Sequence, residues 1–333
     1  MENKTKKKMP TDIKVFIIVC SVIAVILIAA VVYIIQPKDV ALVQNSRVSG
    51  DEFKYYYSQD YQTYAQYIQS SENPESVLNY VKQLALSQAI EVEYILQEAQ
   101  KNGFKADQKE MDENWATMEQ NIINAATTYE MDVDDFCEQS FGTNLKKLKP
   151  LFRDAFIAQK YREAKIAEVA VDETKLAAFY EENKASFDYY TVRHILIELE
   201  QDAEDAVVQE KQKLAQDILD RVNKGEDFAA LALEFSDDDG SNKTGGVYDV
   251  DQSTNFVPEF KEWTFASKAG DTGIVQSTYG FHVMKLDAVY DTLEANKEVI
   301  TQAWQANEFQ NKINTALNDG TVKVEILDGF SEF

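Results

Sequence analysis

At Asp188 the hydrophobic pattern of the chain changes period, and this restricts the fold more than any other feature. Upstream, Phe53, Tyr57, Tyr61, Tyr64 and Tyr67/Ile68 recur at spacings of three and four, the apolar stripe of a helix. Asn73-Pro74 interrupts it, and Val77, Leu78, Val81, Leu84, Ala85, Ala89, Val92 and Ile95 continue the same period to Gly103. A third helical pattern covers Asp107–Thr127. More helix covers Val133–Ala170 with a break near Gly142, and Val171-Asp172-Glu173 opens another through Tyr180. Downstream, Tyr190, Val192, His194, Leu196 and Glu198 alternate with Thr191, Arg193, Ile195 and Ile197, which predicts a strand that is apolar on much of both faces. An amphipathic helix follows over Asp205–Asn223, closed by Gly225. Short helices are expected at Phe228–Phe235 and, opened by Pro258, at Glu259–Ala266. Strand patterns return at Gly273–Gln276 and Phe281–Leu286. A long helix over Asp291–Leu317 and a strand over Thr321–Leu327 close the chain. Near the start, Val40–Val43 and the turn residues after it predict two short strands, and Ser49 with Glu52 predicts a capping box. Helices, then a compact β–α–β block, then a helix make an α+β arrangement.

A second feature sets the compartment. Val15–Ile35 is an unbroken run of 21 uncharged, mostly apolar residues, about the ~20 residues that a helix needs to cross a bilayer. Lys4, Lys6, Lys7, Lys8 and Lys14 stand before it against Glu2 and Asp12, so residues 1–14 form a basic segment expected on the cytoplasmic side. The reading is a single-pass anchor over 15–35 in the cytoplasmic membrane, touching lipid, with the remainder outside the cytoplasm. A cleavable signal peptide has a shorter apolar core, and the Ile17-Ile18-Val19 sequence before Cys20 is a poor lipoprotein site.

Charge and residue usage exclude much of the rest. The 333 residues hold 33 Lys+Arg and 57 Asp+Glu, a net charge of −24, which repels nucleic-acid phosphate. Cys20 and Cys137 cannot build a disulfide framework or a thiolate metal site. GxSxG, GxGxxG and GxxxxGK[ST] motifs are missing, so neither a nucleophile elbow nor a phosphate-binding loop is expected. The two histidines, His194 and His282, both fall in predicted strands with the acidic loop Ser236-Asp237-Asp238-Asp239-Gly240 between them. Alone they read more often as core polar groups satisfied by neighbours, and a metal would need ligands that no helical His pair or Cys cluster supplies.

Six short motifs then occur in order. They are His194-Ile195-Leu196, Glu226–Ala232, Phe235-Ser236-Asp237-Asp238, Gly245-Gly246, Phe256-Val257-Pro258-Glu259-Phe260 and Tyr279-Gly280-Phe281-His282-Val283-Met284-Lys285. Together they resemble the parvulin-type peptidyl-prolyl cis/trans isomerases over about Tyr189–Val289, and the wider layout is similar to the extracytoplasmic foldases of the PrsA and SurA type. The resemblance implies four parts: the basic segment 1–14, the anchor 15–35, a helical chaperone-like domain of 38–187 plus 291–333, and an isomerase domain of 188–290. The isomerase domain would hold a small antiparallel sheet of about four strands flanked by helices.

The resemblance also implies the chemistry. His194, His282 and Asp238 would form the hydrogen-bonded catalytic centre, while Phe256, Phe260, Ser277 and Tyr279 would contact the substrate, with no cofactor and no metal. Asp239 competes with Asp238 for its place, because the loop is one residue longer than usual. A burial-raised pKa is expected for the aspartate, since a bare carboxylate repels a carbonyl oxygen. Partners would be unfolded or partly folded exported polypeptides with X–Pro bonds. Glu198, Glu200, Asp202, Glu204 and Asp205 after the first strand would repel phosphoserine-proline substrates. Two departures stand out. Phe256 sits where the family usually has methionine, and the usual Gly-Gly-Asp-Leu-Gly is Gly245-Gly246-Val247-Tyr248-Asp249. They motivate the alternative of an inactive holdase or scaffold that uses the fold only to bind unfolded chains. The tyrosine stripe of the first helix serves either reading, as core packing or as an apolar groove for extended chains.

Overall fold

The computed structural model describes residues 38–333. The expected anchor over 15–35 and the basic segment before it lie outside the described residues. Among the described residues no helix is long and apolar enough to cross a membrane. These residues form two compact units, one of residues 38–168 with 308–333 and the other of residues 169–307.

The first unit opens with a hairpin, β1 (Ala41–Val43) and β2 (Ser46–Val48), and β7 (Val324–Ile326) adds antiparallel to the other edge of β1. The two ends of the described chain therefore meet in one sheet of order β2-β1-β7. Five helices follow the hairpin: α1 (Gly50–Ser70), α2 (Pro74–Lys101), α3 (Gln108–Thr128), α4 (Val133–Phe141) and α5 (Leu145–Ala167). The start of α1 is fixed by the expected capping box, in which Ser49 Oγ accepts from the Glu52 N–H and Glu52 accepts from the Ser49 N–H. Gly142 ends α4 in the left-handed conformation and produces the expected break. The tyrosine stripe of α1 divides. Phe53 and Ile68 are buried, Tyr57 and Tyr64 pack against apolar clusters, and Tyr61 and Tyr67 face outward.

Glu52 is drawn down with the cap into a half-buried position. Burial first, then the nearby Glu93 and Asp154 charges, push its carboxyl up to about 8. A folded-state pKa raised above the unfolded value means that folding keeps a proton bound there. The stability it contributes is full below about pH 4.5 and is lost as pH rises through about 8. Glu52→Gln keeps an acceptor for the cap and removes the titration. The expected result, in urea unfolding of the helical signal at pH 6 and pH 9, is a wild-type midpoint that falls with pH and a variant midpoint that falls less.

The second unit holds α6 (Glu173–Phe187), β3 (Tyr189–Glu198), α7 (Asp205–Asn223), α8 (Phe228–Phe235), β4 (Val247–Val250), α9 (Pro258–Ala266), β5 (Thr272–Ser277), β6 (Gly280–Tyr290) and the start of α10 (Lys297–Asn318). Its sheet is antiparallel with order β4-β3-β6-β5. The period of two in β3 and β6 divides their side chains between two cores. Ile195, Ile197, Phe281 and Val283 meet α7 and α8 through Ile218, Val222, Phe228 and Leu231. On the opposite face Val192, Met284 and Leu286 meet α9 through Phe260. Covering both faces explains why β3 reads as apolar on both sides.

Two differences from the sequence reading have physical causes. The sequence pattern assigns no element to β4, because a four-residue strand after two glycines carries too few alternating residues to register. The final helix begins at Lys297, after a turn in which Asn296 Nδ2 donates to the carbonyls of Phe187 and Tyr290 (3.0 Å each). Asn296 thus satisfies strand- and helix-end acceptors that would otherwise stay unpaired.

Candidate active site

His194 and His282 lie on the central strands β3 and β6, where Leu196 pairs with His282 and His194 with Met284. The diagonal register brings both imidazoles to the α9 face. They are 4% and 5% exposed, and their rings stack at 20° with Nδ1 to Nδ1 at 3.2 Å.

The acidic loop is tied to the end of β3. Asp237 N–H donates to the Leu196 carbonyl (2.8 Å), Leu196 N–H to Ser236 Oγ (3.1 Å), and Glu198 N–H to Asp237 Oδ2 (2.8 Å). These ties aim Asp238, rather than Asp239, at the histidines: Asp238 Oδ2 lies 2.8 Å from His194 Nε2. Asp239 turns to Asn242. The same Oδ2 accepts from Ser241 Oγ and from the Tyr248 hydroxyl (3.1 Å), and Oδ1 accepts from the Gly240 N–H (3.1 Å).

This donor set corrects the expectation of a burial-raised aspartate. Burial does push the Asp238 carboxyl up, but hydrogen bonds from Ser241, His194 and Gly240 outweigh it and hold the group below the usual carboxylate range. The carboxylate is ionised, and as an acceptor it fixes the tautomers around it. His194 presents Nε2–H to Asp238, which leaves its Nδ1 bare. His282 must then donate Nδ1–H to that nitrogen, and its own bare Nε2 accepts from Ser277 Oγ (2.7 Å). Ser277 Oγ in turn accepts from the Tyr279 N–H (3.1 Å). The result is one directed chain from the β5–β6 turn to Asp238.

Both imidazoles are held neutral. Burial, partly offset by the Asp238 carboxylate, lowers His194, and burial with the neighbouring imidazole lowers His282 to about 4. A histidine depressed in the folded state contributes stability that is full above its unfolded pKa of about 6.5 and is lost as pH falls toward 4. The full difference for His282 is about 3 kcal/mol. Unfolding of the second unit, followed by hydrogen exchange of β3 and β6 amides, should therefore show stability falling between pH 6.5 and 4. The same profile in His282→Gln would assign the loss to other groups.

An aromatic stack stands beside the histidines. Phe260 is fully buried and packs edge-on to His194 and His282, with ring centroids 5.3 and 5.6 Å away. Phe256 lies flat on Phe260 at 4.6 Å and 10°, and Tyr248 meets Phe256 edge-on at 5.1 Å. Phe260 is thus the floor, and the half-buried Phe256 and Tyr248 offer ring surface. Tyr279 stands 59% exposed at the β5–β6 turn and joins the site through its backbone. All seven residues anticipated from the sequence fall on this one face or its rim. Ser241 and Tyr248 were missed. Tyr248 reaches this face through its pairing with Val192 in the β3–β4 ladder, a register that no local pattern in the sequence announces.

The comparisons with known proteins divide the chain in the same way. Residues 175–290 match the family described as the PPIC-type PPIASE domain, and residues 3–126 match the SurA-like N-terminal domain. Foldase protein PrsA of Caldanaerobacter subterraneus subsp. tengcongensis is 27% identical over 303 residues, covering 88% of this chain and 87% of that protein. Foldase protein PrsA of Oceanobacillus iheyensis is 27% identical over 237 residues, 68% of this chain and 71% of its own. Chaperone SurA of Chromohalobacter salexigens is 36% identical over 137 residues, 40% of this chain and 30% of its own. The chain therefore carries a PPIC-type, parvulin peptidyl-prolyl isomerase domain at residues 175–290, preceded by a SurA-like N-terminal domain.

Proposed function

We propose that the chain is an extracytoplasmic foldase, a peptidyl-prolyl cis/trans isomerase coupled to a chaperone region that holds unfolded, exported polypeptides. Residues 188–290 are the catalytic body in this reading, and 38–187 with 291–333 are the chaperone-like part. An X–Pro bond resists rotation by a barrier of about 18–20 kcal/mol, because twisting breaks amide resonance. No covalent step is required, so the enzyme must bind the twisted amide better than either planar form.

The observation that carries the reading is the apolar ring surface of Phe256 and Tyr248 beside a buried, internally satisfied histidine pair. The rings would grip the prolyl ring. The histidines and Asp238 already have partners, so they offer few strong donors that would stabilise a planar carbonyl. Phe260, itself fully buried, makes the floor of the site apolar on the same side. A barrier lowered by about 7 kcal/mol corresponds to about five decades in rate.

NMR exchange spectroscopy on unphosphorylated X–Pro peptides with the full chain tests this. Catalysed cis/trans exchange is expected. Exchange no faster than in buffer removes the enzymatic reading and favours the inactive holdase, which the ring-on-ring packing of Phe256 over Phe260 also suits. The apolar run 15–35 with its lysine flank supports a membrane anchor with the N-terminus in the cytoplasm. Alkaline extraction of membranes from cells expressing the chain checks it, and release into the soluble fraction would count against an anchor.

A further inference from the structure

We infer that Tyr248 is a positioning residue of the isomerase site, joining the ring surface that grips proline to the carboxylate that orders the histidines. The inference deepens the reading above and rests on it.

Three observations carry it. First, the Tyr248 hydroxyl donates to Asp238 Oδ2 at 3.1 Å, the same oxygen that accepts from His194 Nε2 at 2.8 Å. Second, its ring is edge-on to Phe256 at 5.1 Å and tilted against His194 at 5.5 Å, so one side chain touches the apolar surface, the imidazole and the carboxylate. Third, the backbone is shaped around the hydroxyl. A Cβ on Gly240 would stand 2.9 Å from that oxygen and 3.2 Å from Asp238 Oδ1. Pairing of Val192 with Tyr248 in the β3–β4 ladder fixes the ring on this face.

A phenol that bridges the two halves can do what neither half does alone. When a prolyl ring packs on Phe256 and Tyr248, any shift of the phenol changes the hydrogen bonding at Asp238 and so the polarity of the Asp238–His194–His282 chain. Conversely, the carboxylate holds the phenol upright as a wall. The titratable groups around Asp238 are His194 from β3, His282 behind it from β6 and Tyr248 from β4, with Asp237 and Asp239 as its neighbours in the loop, and Ser241 Oγ donates to it as well. Of these, Tyr248 is the one whose ring packs against Phe256.

The test uses the full chain and a tetrapeptide with an Ala–Pro bond, followed by NMR exchange from pH 4 to pH 8. Tyr248→Phe keeps the ring and loses the donor. The expected result is KM within about twofold, kcat down about tenfold, and an acid limb of kcat/KM moved up by about one pH unit. Tyr248→Leu should add a rise in KM. Gly240→Ala leaves Tyr248 in place but crowds its hydroxyl, so it should reproduce the acid-limb shift, and it should add little in the Tyr248→Phe background. A purely structural tyrosine predicts unchanged kcat and acid limb in folded Tyr248→Phe protein, and that result overturns the inference while leaving the isomerase intact. If Tyr248→Phe fails to fold, an unshifted limb in Gly240→Ala overturns it instead. No catalysed exchange in the wild-type chain removes the isomerase reading itself, and with it this inference.

Discussion

Gly246→Ala is expected to cost the second unit about 3–5 kcal/mol, much of the stability of an ordinary domain. Two costs coincide at this position. Gly246 has φ +72°, a conformation that a residue with a Cβ adopts only with strain. An added Cβ would also stand 2.2 Å from the His194 carbonyl oxygen, far inside contact distance. The neighbour cannot yield cheaply, because that carbonyl belongs to the central strand β3 and the His194 N–H is bonded to the Gly246 carbonyl (2.9 Å). The strain therefore falls on the strand that carries the His194 imidazole. Native-state hydrogen exchange is the measurement. Amides of β3 and β6 should lose protection by a factor of several hundred or more, which is about 3–5 kcal/mol, while α1 and α2 in the other unit stay protected. Unchanged protection in β3 would show that the β4 end of the sheet gives way freely, and would contradict the close approach described here.

Asp238→Ala is expected to lower kcat/KM by about 100-fold while the protein stays folded. The loss has an electrostatic origin. Asp238 accepts from His194, Ser241, Tyr248 and Gly240, so its removal leaves several donors without their common acceptor. His194 then has no reason to keep its proton on Nε2, and the tautomer order through His282 to Ser277 is lost. Asp238→Asn separates charge from geometry. The amide oxygen can still accept, but it is neutral and its nitrogen is a donor facing other donors. A loss in Asn close to that in Ala assigns the effect to the charge, and near wild-type activity in Asn assigns it to geometry. Full activity in folded Asp238→Ala protein would remove Asp238 from the machinery altogether.

Much of this fold was legible because local rules and tertiary packing agree. The period of three and four in α1 and α2, the Ser49–Glu52 box and the Gly142 break are decided within a few residues of themselves, and the structure contains all three. The Asp205–Asn223 and Phe228–Phe235 helices match their expected bounds for the same reason. β4 was illegible because its four residues are held by ladder bonds to β3 rather than by any pattern of their own. Even the tyrosine stripe of α1 was ambiguous. Identical side chains at helical spacing end up packed at Tyr57 and Tyr64 and exposed at Tyr61 and Tyr67, since neighbouring helices decide which part of the stripe is covered.

The site divides in the same way. The resemblance to the parvulin-type isomerases brought together His194, Asp238, His282, Phe256, Phe260, Ser277 and Tyr279, because the motifs that carry it are properties of the sequence. Three matters were left to the tertiary structure. The choice of Asp238 over Asp239 came from the bonds that tie Ser236 and Asp237 to the end of β3. The ionised state of Asp238 came from donors contributed by β3, β4 and its own loop, whose sum outweighs burial. The part played by Tyr248 came from the β3–β4 register, which sets its phenol between Phe256 and the carboxylate. A sequence specifies which groups are available and which face of an element they occupy. The balance between burial and hydrogen bonding at one carboxylate depends on distances of about 3 Å between residues far apart in the chain, and folding alone sets those distances.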